Sequence, residues 1–507
     1  MYMTQCLQRT LQQNPEHIAT IFGPRRHTYR EFGDRVARLA GALQKLGMAA
    51  GDRVGMLALN SDRYLEYIMG VWWGGGVLNP VNIRWSVPEI VYSLDDCSTG
   101  ILIVDEHFAP LAEQIRRSAR HAPRFIYAGE GEVPVGMLGF EQLIAQAAPV
   151  EDAGRGGEDL ACIMYTGGTT GFPKGVMQSH LNLWSACMPR MVDMPPIREG
   201  RLLHVAPLFH VAGMARALIQ FMAGESHVLL SSFDSAQVLQ VIERERITET
   251  LLVPTMILAL LAHPDFDRHD LSSLKRLTYG ASPSAGEMVE QVLVRLPDLE
   301  LSHSYGLTEA CPVVSSNLPC NHTPQARKSG LSRSVGRGGL GVNVKIVDPQ
   351  GQEVARGTVG QIIVRGPNIM QGYWNKPEET AKALRDGWLY TGDAAWMDEQ
   401  GYLFIVDRLK DMIVSGGENV YSAEVENVLA RHPAVALCAV IGVPHEQWGE
   451  AVHAVVVRKP GTQVDAEQLR RYCREFIAPY KCPKTVEFHD ELPLSAAGKV
   501  LKRELRQ

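Results

Sequence analysis

Val36, Leu39, Leu43 and Leu46 recur three or four residues apart, which places them on one face of a helix. Thr28 and Glu31 stand ahead of them at capping-box spacing, and Gly47 follows as a stop. A short apolar run at 54–58 then reads as a buried strand, 61–71 as a second helix, and 77–78 as the start of another strand. Further strands are expected at 101–104, 203–206, 227–230 and 250–253. Helices and strands alternating at this spacing predict parallel sheets covered by helices. The pattern changes near residue 330. Segments 342–347, 360–365 and 402–406 read as strands joined by Gly, Pro and Asp turns, a β-rich subdomain at about 330–408. After 407–411 the chain restarts as a small α+β unit, with helices at 422–431 and 465–476 and strands at 435–441 and 451–457. The expected class is α/β, with an N-terminal domain over 1–408 and a C-terminal domain over 409–507.

Composition narrows the function. The 507 residues suffice for two or three domains, and 45% apolar with 21% charged residues is ordinary for a globular protein. A net charge of -6 without a dense Lys/Arg block argues against nucleic acid as a partner. Nine scattered cysteines, an odd number without a CxxC, argue against a disulfide framework or a zinc site. Each reads as a small apolar filler in a reducing compartment. Residues 1–5 lack a charged stretch followed by an apolar run, so no secretory signal is read. The longest apolar stretches, 67–78 and 251–262, fall short of the roughly 20 residues a membrane span needs. A cytoplasmic protein handling small molecules is expected, with a homodimer left open.

The densest chemistry is YTGGTTGFPKG at 165–175. Glycines let the backbone approach an anion, so that successive N–H groups can meet phosphate oxygens. Thr166, Thr169 and Thr170 add hydroxyls and Lys174 adds a charge. A glycine-rich stretch can also be a plain surface loop. A Walker A loop is excluded, because that pattern needs Ser or Thr after the lysine and Gly175 stands there.

This stretch resembles the signature loop of the adenylate-forming superfamily, which groups acyl-CoA synthetases, nonribosomal adenylation domains and beetle luciferases. GASPS at 280–284, SYGLTE at 304–309, LYTGD at 389–393, DRLKD at 407–411, VSGGENVYSAEVE at 414–426 and PLSAAGK at 493–499 follow in the family's order. Two departures stand out: Gly167, where Ser is more usual, and Ser422, where Pro is frequent. Ser is itself a good N-cap, so this departure carries no functional weight.

The resemblance implies a reaction in two halves. A carboxylate attacks the α-phosphate of ATP and releases pyrophosphate; a thiol then takes the acyl group from the adenylate. It implies that Thr166, Gly167, Gly168, Thr169, Thr170 and Lys174 cradle ATP, with Gly280, Ala281, Ser282, Ser304, Gly306 and Thr308 around the nucleotide. Tyr305 would stack on adenine and Asp393 would hold the ribose, with Arg408 beside it. Glu309 would hold Mg2+. Lys499 would bridge the carboxylate and the α-phosphate, and Lys410 would be the hinge of a swinging C-terminal domain. Gly416 and Gly417 would line the thiol tunnel, with Trp448, Tyr480 and Lys481 at the coenzyme A nucleotide.

No carrier-protein domain follows Lys499 in this sequence, so free coenzyme A is the expected acceptor; a stand-alone enzyme loading a carrier protein is the alternative. The acyl pocket would be lined by His210, Ala212, Gly213, Gly280, Leu307, Val313 and Val314. His210 reads equally as wall, gate or packed residue. No cation is evident there for a second carboxylate, and Phe209 stands where no acid can meet an α-ammonium group. A medium- or long-chain fatty acid, or an aryl acid of the hydroxycinnamate type, is expected.

Overall fold

The computed structural model describes residues 1–167, 173–280, 286–415, 418–494 and 500–506. The capping box forms as expected: Thr28 N–H donates to Glu31 Oε2 at 2.8 Å and Glu31 N–H to Thr28 Oγ1 at 3.2 Å. These bonds satisfy amides that the first helical turn leaves without carbonyl partners. The helix Tyr29–Lys45 buries Phe32, Val36, Leu39 and Leu43 completely, and Gly47 follows in the left-handed region at φ +97°. Full burial of one such side chain stabilises by about 1.5–3 kcal/mol.

The described strands form four sheets. The first has nine strands in the order Arg337–Gly338, Val313–Asn317, Glu300–Gly306, Arg276–Gly280, Glu249–Leu252, Arg201–His204, Ser226–Leu229, Ile18–Phe22 and Arg25–Thr28. The second has eight, ordered Gly372–Tyr373, Lys174–Ser179, Leu160–Thr166, Val77–Pro80, Arg53–Leu57, Ile101–Val104, Arg124–Tyr127 and Leu138–Gly139. Their middles are parallel, as the helix–strand alternation predicts; antiparallel strands close both edges of the first sheet and one edge of the second, whose other edge stays parallel. One core spans both: Phe32, Leu39, Trp72, Leu218 and Phe221 from helices meet Val54 and Leu78 of one sheet and Leu229 of the other.

The third sheet holds Asn343–Val347, Gly360–Arg365, Leu384–Arg385, Trp388–Met397 and Leu403–Arg408. The expected β-rich region is therefore real but not self-contained. Arg337–Gly338 and Gly372–Tyr373 leave it to edge the two large sheets. The fourth sheet, Ile413–Ser415, Glu418–Val420, Val435–His445, Gly449–Arg458 and Thr485–His489, packs on the helices Ser422–Leu429 and Ala466–Phe476. The cysteines are all unpaired; seven are buried, whereas Cys320 is exposed and Cys438 intermediate. Among the described residues no helix is long and apolar enough to cross a membrane.

Candidate active site

In open parallel sheets, ligands bind beyond the carboxyl ends of the strands. The segments after Leu160–Thr166, Arg276–Gly280 and Glu300–Gly306 leave from such ends and carry three of the motifs. Close backbone approach dictates two of their glycines. A Cβ on Gly280 would lie 2.4 Å from Ser304 O, and one on Gly306 would lie 1.6 Å from Pro312 O. Among the described residues, a Cβ on Gly167 would meet nothing within 4 Å.

Glu309 lies in the short turn Thr308–Ala310, and three residues from two other segments grip that turn's carbonyls. Gln178 Nε2 donates to Thr308 O at 2.9 Å, Met370 N–H to Glu309 O at 2.9 Å, and Asn368 Nδ2 to Ala310 O at 3.0 Å. The carboxylate is oriented by Tyr373, whose hydroxyl donates to Glu309 Oε1 at 2.8 Å. Burial, and then Glu309 itself, push the Tyr373 pKa up, so this hydroxyl keeps its proton. Lys174 opens the strand Lys174–Ser179, forms an ion pair with Glu379 and lies 5.2 Å from the Tyr373 ring centroid. A lysine, an acid and a tyrosine thus share one corner.

A second corner forms around Asp393, whose strand is in register with Arg408. Asp393 is 4% exposed; its Oδ2 accepts the Tyr305 hydroxyl at 2.6 Å, and its Oδ1 lies 3.0 Å from Arg408 Nε. Asp393 raises the Arg408 pKa, while burial chiefly raises that of Tyr305. Of the three residues expected at the nucleoside, Tyr305 and Arg408 both contact Asp393. Thr166 ends the strand Leu160–Thr166, and Ser304 lies two residues before the end of Glu300–Gly306. Gly168, Thr169, Thr170, Ala281, Ser282, Gly416, Gly417 and Lys499 lie outside the described residues.

The surroundings of the residues expected at the acyl pocket and in the C-terminal part are as follows. Gly213 is small for packing: a Cβ there would lie 2.2 Å from Pro207 O. Val314 is fully buried in a core cluster with Val176, Ala310 and Ile346. Val313 and Leu307 are half-buried, as is Ala212. His210 caps the helix Val211–Ala223, its Nδ1 accepting Ala212 N–H at 3.3 Å. Lys481 is paired to both Glu424 oxygens at 2.8 Å and is not a free cation. Lys484 instead lies 5.0 Å from the Trp448 ring, on which His445 stacks at 4.1 Å. Tyr480 remains exposed.

Ser422 is not the N-cap; Tyr421 is. As the first helical residue, fully buried, Ser422 donates its hydroxyl to Asp407 Oδ2 at 2.7 Å and accepts Lys502 Nζ at 2.6 Å. Lys502 also meets Glu426 Oε1 at 2.7 Å. This chain of contacts brackets Lys410, whose pKa is lowered by burial and then by Arg408.

The family model described as AMP-binding enzyme matches residues 7–374, and that described as AMP-binding enzyme C-terminal domain matches 424–499. The chain belongs to the AMP-binding enzyme family. It is 41% identical over 500 residues to a feruloyl-CoA synthase from an Amycolatopsis species, covering 98% of this chain and 97% of that one. It is 36% identical over 504 residues to a fatty acid–[acyl-carrier-protein] ligase of Streptomyces coeruleorubidus, covering 98% and 94%. An anthranilate CoA ligase solved with anthranoyl-AMP superposes with a TM-score of 0.91 at 28% identity, covering 100% of this chain and 96% of that one. Family and fold agree with the motif order read from the sequence.

Tyr373, Glu379 and Lys484 are the contact residues that the motifs missed. The compact run GYWNKPEET at 372–380 was the available signal, since Gly-Tyr-Trp before Asn and Pro is unusual for a plain turn.

Proposed function

We propose that this protein is an AMP-forming acid–thiol ligase that converts a carboxylic acid, ATP and coenzyme A into acyl-CoA, AMP and pyrophosphate. One observation carries the reading: residues of separate motifs meet in two polar corners, Tyr305–Asp393–Arg408 and Lys174–Tyr373–Glu309. Asp393 and Arg408 suit ribose hydroxyls, and Lys174 suits the outer phosphates. An acid oxygen bonds to the α-phosphorus as the bond to pyrophosphate breaks; Lys499 balances the charge of the two anions that meet. The thiol of coenzyme A then bonds to the acyl carbon, loses its proton, and AMP leaves. Lys410 is the pivot between the halves, with 1–408 and 409–507 as the moving bodies.

Glu309 offers one carboxylate, and its Oε1 is already engaged by Tyr373. Among the described residues no cluster of three or more metal-ligating side chains forms. That fits Mg2+, which commonly takes one or two carboxylates and draws its other oxygens from substrate phosphates and water. Bound with ATP, Mg2+ supplies neutralisation of the phosphate charge.

The 41% identity to a feruloyl-CoA synthase supports an aryl acid of the hydroxycinnamate type ahead of a fatty acid. Cytoplasmic residence is supported by the nine unpaired cysteines. The test is pyrophosphate release across a panel of hydroxycinnamates, benzoates and fatty acids, each with and without coenzyme A. Turnover requiring one acid class and coenzyme A, with the matching thioester formed, is expected. Acid-dependent release indifferent to coenzyme A would move the acceptor to a carrier protein. No release with any acid would refute the ligase reading.

A further inference from the structure

The segment 372–383 contains none of the residues assigned above, yet it contacts both charged members of the phosphate corner. Gly372–Tyr373 adds to the edge of the lysine-bearing strand, Tyr373 opposite Val176, and Trp374 N–H donates to Gly175 O at 2.7 Å. The helix Pro377–Ala383 is pinned back onto this strand. Tyr373 N–H donates to Thr380 Oγ1 at 2.9 Å, and that hydroxyl donates to Lys376 O at 2.8 Å. Tyr373 and Glu379 are therefore set relative to each other before any ligand arrives.

Their targets are opposite charges. The Tyr373 hydroxyl engages Glu309 Oε1, which fixes one carboxylate oxygen and leaves Oε2 for another partner. Its ring lies 5.2 Å from Lys174 Nζ, and Glu379 is the carboxylate that pairs with that ammonium.

We infer that Tyr373 is a positioning residue that orients Glu309 for the nucleotide-bound divalent cation, and that Glu379 is the counter-ion Lys174 exchanges for the triphosphate. This rests on the ligase reading for the roles of Glu309 and Lys174. The two residues have separable signatures. Loss of the Tyr373 hydroxyl removes a bond to a charged acceptor and acts on the cation. Loss of the Glu379 charge frees Lys174 and acts on the anion. The Lys174–Glu379 pair is partly exposed, 26% and 32%, so its release changes affinity only modestly.

The experiment is calorimetric binding of ATP to the full chain without acid or coenzyme A, once in EDTA and once across a Mn2+ titration. For Tyr373→Phe, Mn2+–ATP affinity is expected to fall about ten-fold or more, with metal-free ATP affinity within about two-fold of wild type. For Glu379→Gln, metal-free ATP affinity is expected to rise about two- to five-fold, a gain that a merely structural residue would not give. Equal loss of metal-free and metal-bound ATP in Tyr373→Phe, or no change in either, overturns its role. Unchanged or weaker ATP binding by Glu379→Gln overturns the counter-ion. Wild-type protein that binds Mn2+–ATP but activates no acid would end the ligase reading while leaving this inference standing.

Discussion

Replacing Ser422 by proline isolates one hydroxyl. Ser422 is the first residue of its helix, where proline's fixed φ and missing N–H are tolerated. The backbone should therefore accept the change, and the loss is confined to the bonds with Asp407 and Lys502. Hydrogen bonds to charged groups are worth about 1.5–3 kcal/mol each. The low end applies here, because both partners keep other contacts. Asp407 still accepts Arg408 N–H at 2.7 Å and Ala423 N–H at 3.3 Å, and Lys502 keeps Glu426 at 2.7 Å. Two bonds then sum to about 3 kcal/mol, of which proline returns about 0.4–1 kcal/mol by restricting the unfolded chain. A net cost of about 2 kcal/mol speeds local opening about 30-fold. Hydrogen exchange of the helix Ser422–Leu429 reads this directly, and Ser422→Ala, without the proline return, should exchange faster still. Protection in Ser422→Pro equal to or above wild type would refute the account.

Three further outcomes are expected. Lys499→Ala should abolish acid-dependent ATP–pyrophosphate exchange yet still form thioester from supplied acyl-adenylate; equal loss of both halves would exclude its bridging role. Gly213→Ala places a methyl 2.2 Å from Pro207 O, so it should cost about 1–3 kcal/mol and lower the melting midpoint, whereas Gly167→Ala, with open space, should leave it unmoved; differential scanning calorimetry decides. Burial lowers the pKa of His180, His303 and His322 to about 4, against 6.5 for the exposed ring. The unfolded chain thus binds more protons below pH 6.5. Their contribution is complete above that value and is lost as pH falls towards 4, at up to about 1.4 kcal/mol per unit for each ring. Melting midpoints followed from pH 7 to 4 should fall through this window, and His180→Gln should flatten the slope; a flat wild-type profile would refute it.

The elements with a clean period were legible in the sequence. The helix begun by Thr28 and the strands Ile101–Val104 and Gly360–Arg365 follow from local pattern alone. What stayed hidden was set by distant partners. Ser422 has the chemistry of a cap, but Asp407 takes its hydroxyl from outside the helix. At Gly213 the close approach of the Pro207 carbonyl, which the sequence does not show, is what a side chain would meet. Lys481 pairs with Glu424, 57 residues away, a contact no local pattern announces. Tyr373 meets Glu309 across 64 residues, a pairing for which no local periodicity exists.

The turn at Glu309 also carries a constraint on time. Its carbonyls are gripped by Gln178, which precedes it by 130 residues, and by Asn368 and Met370, which follow it by about 60. Emerging from the ribosome, the chain presents the acid well before the strand that orients it. At about 5–20 residues per second, the ligand corner waits several seconds for its last wall. A nascent chain arrested short of residue 368 would hold most of both large sheets and no finished site.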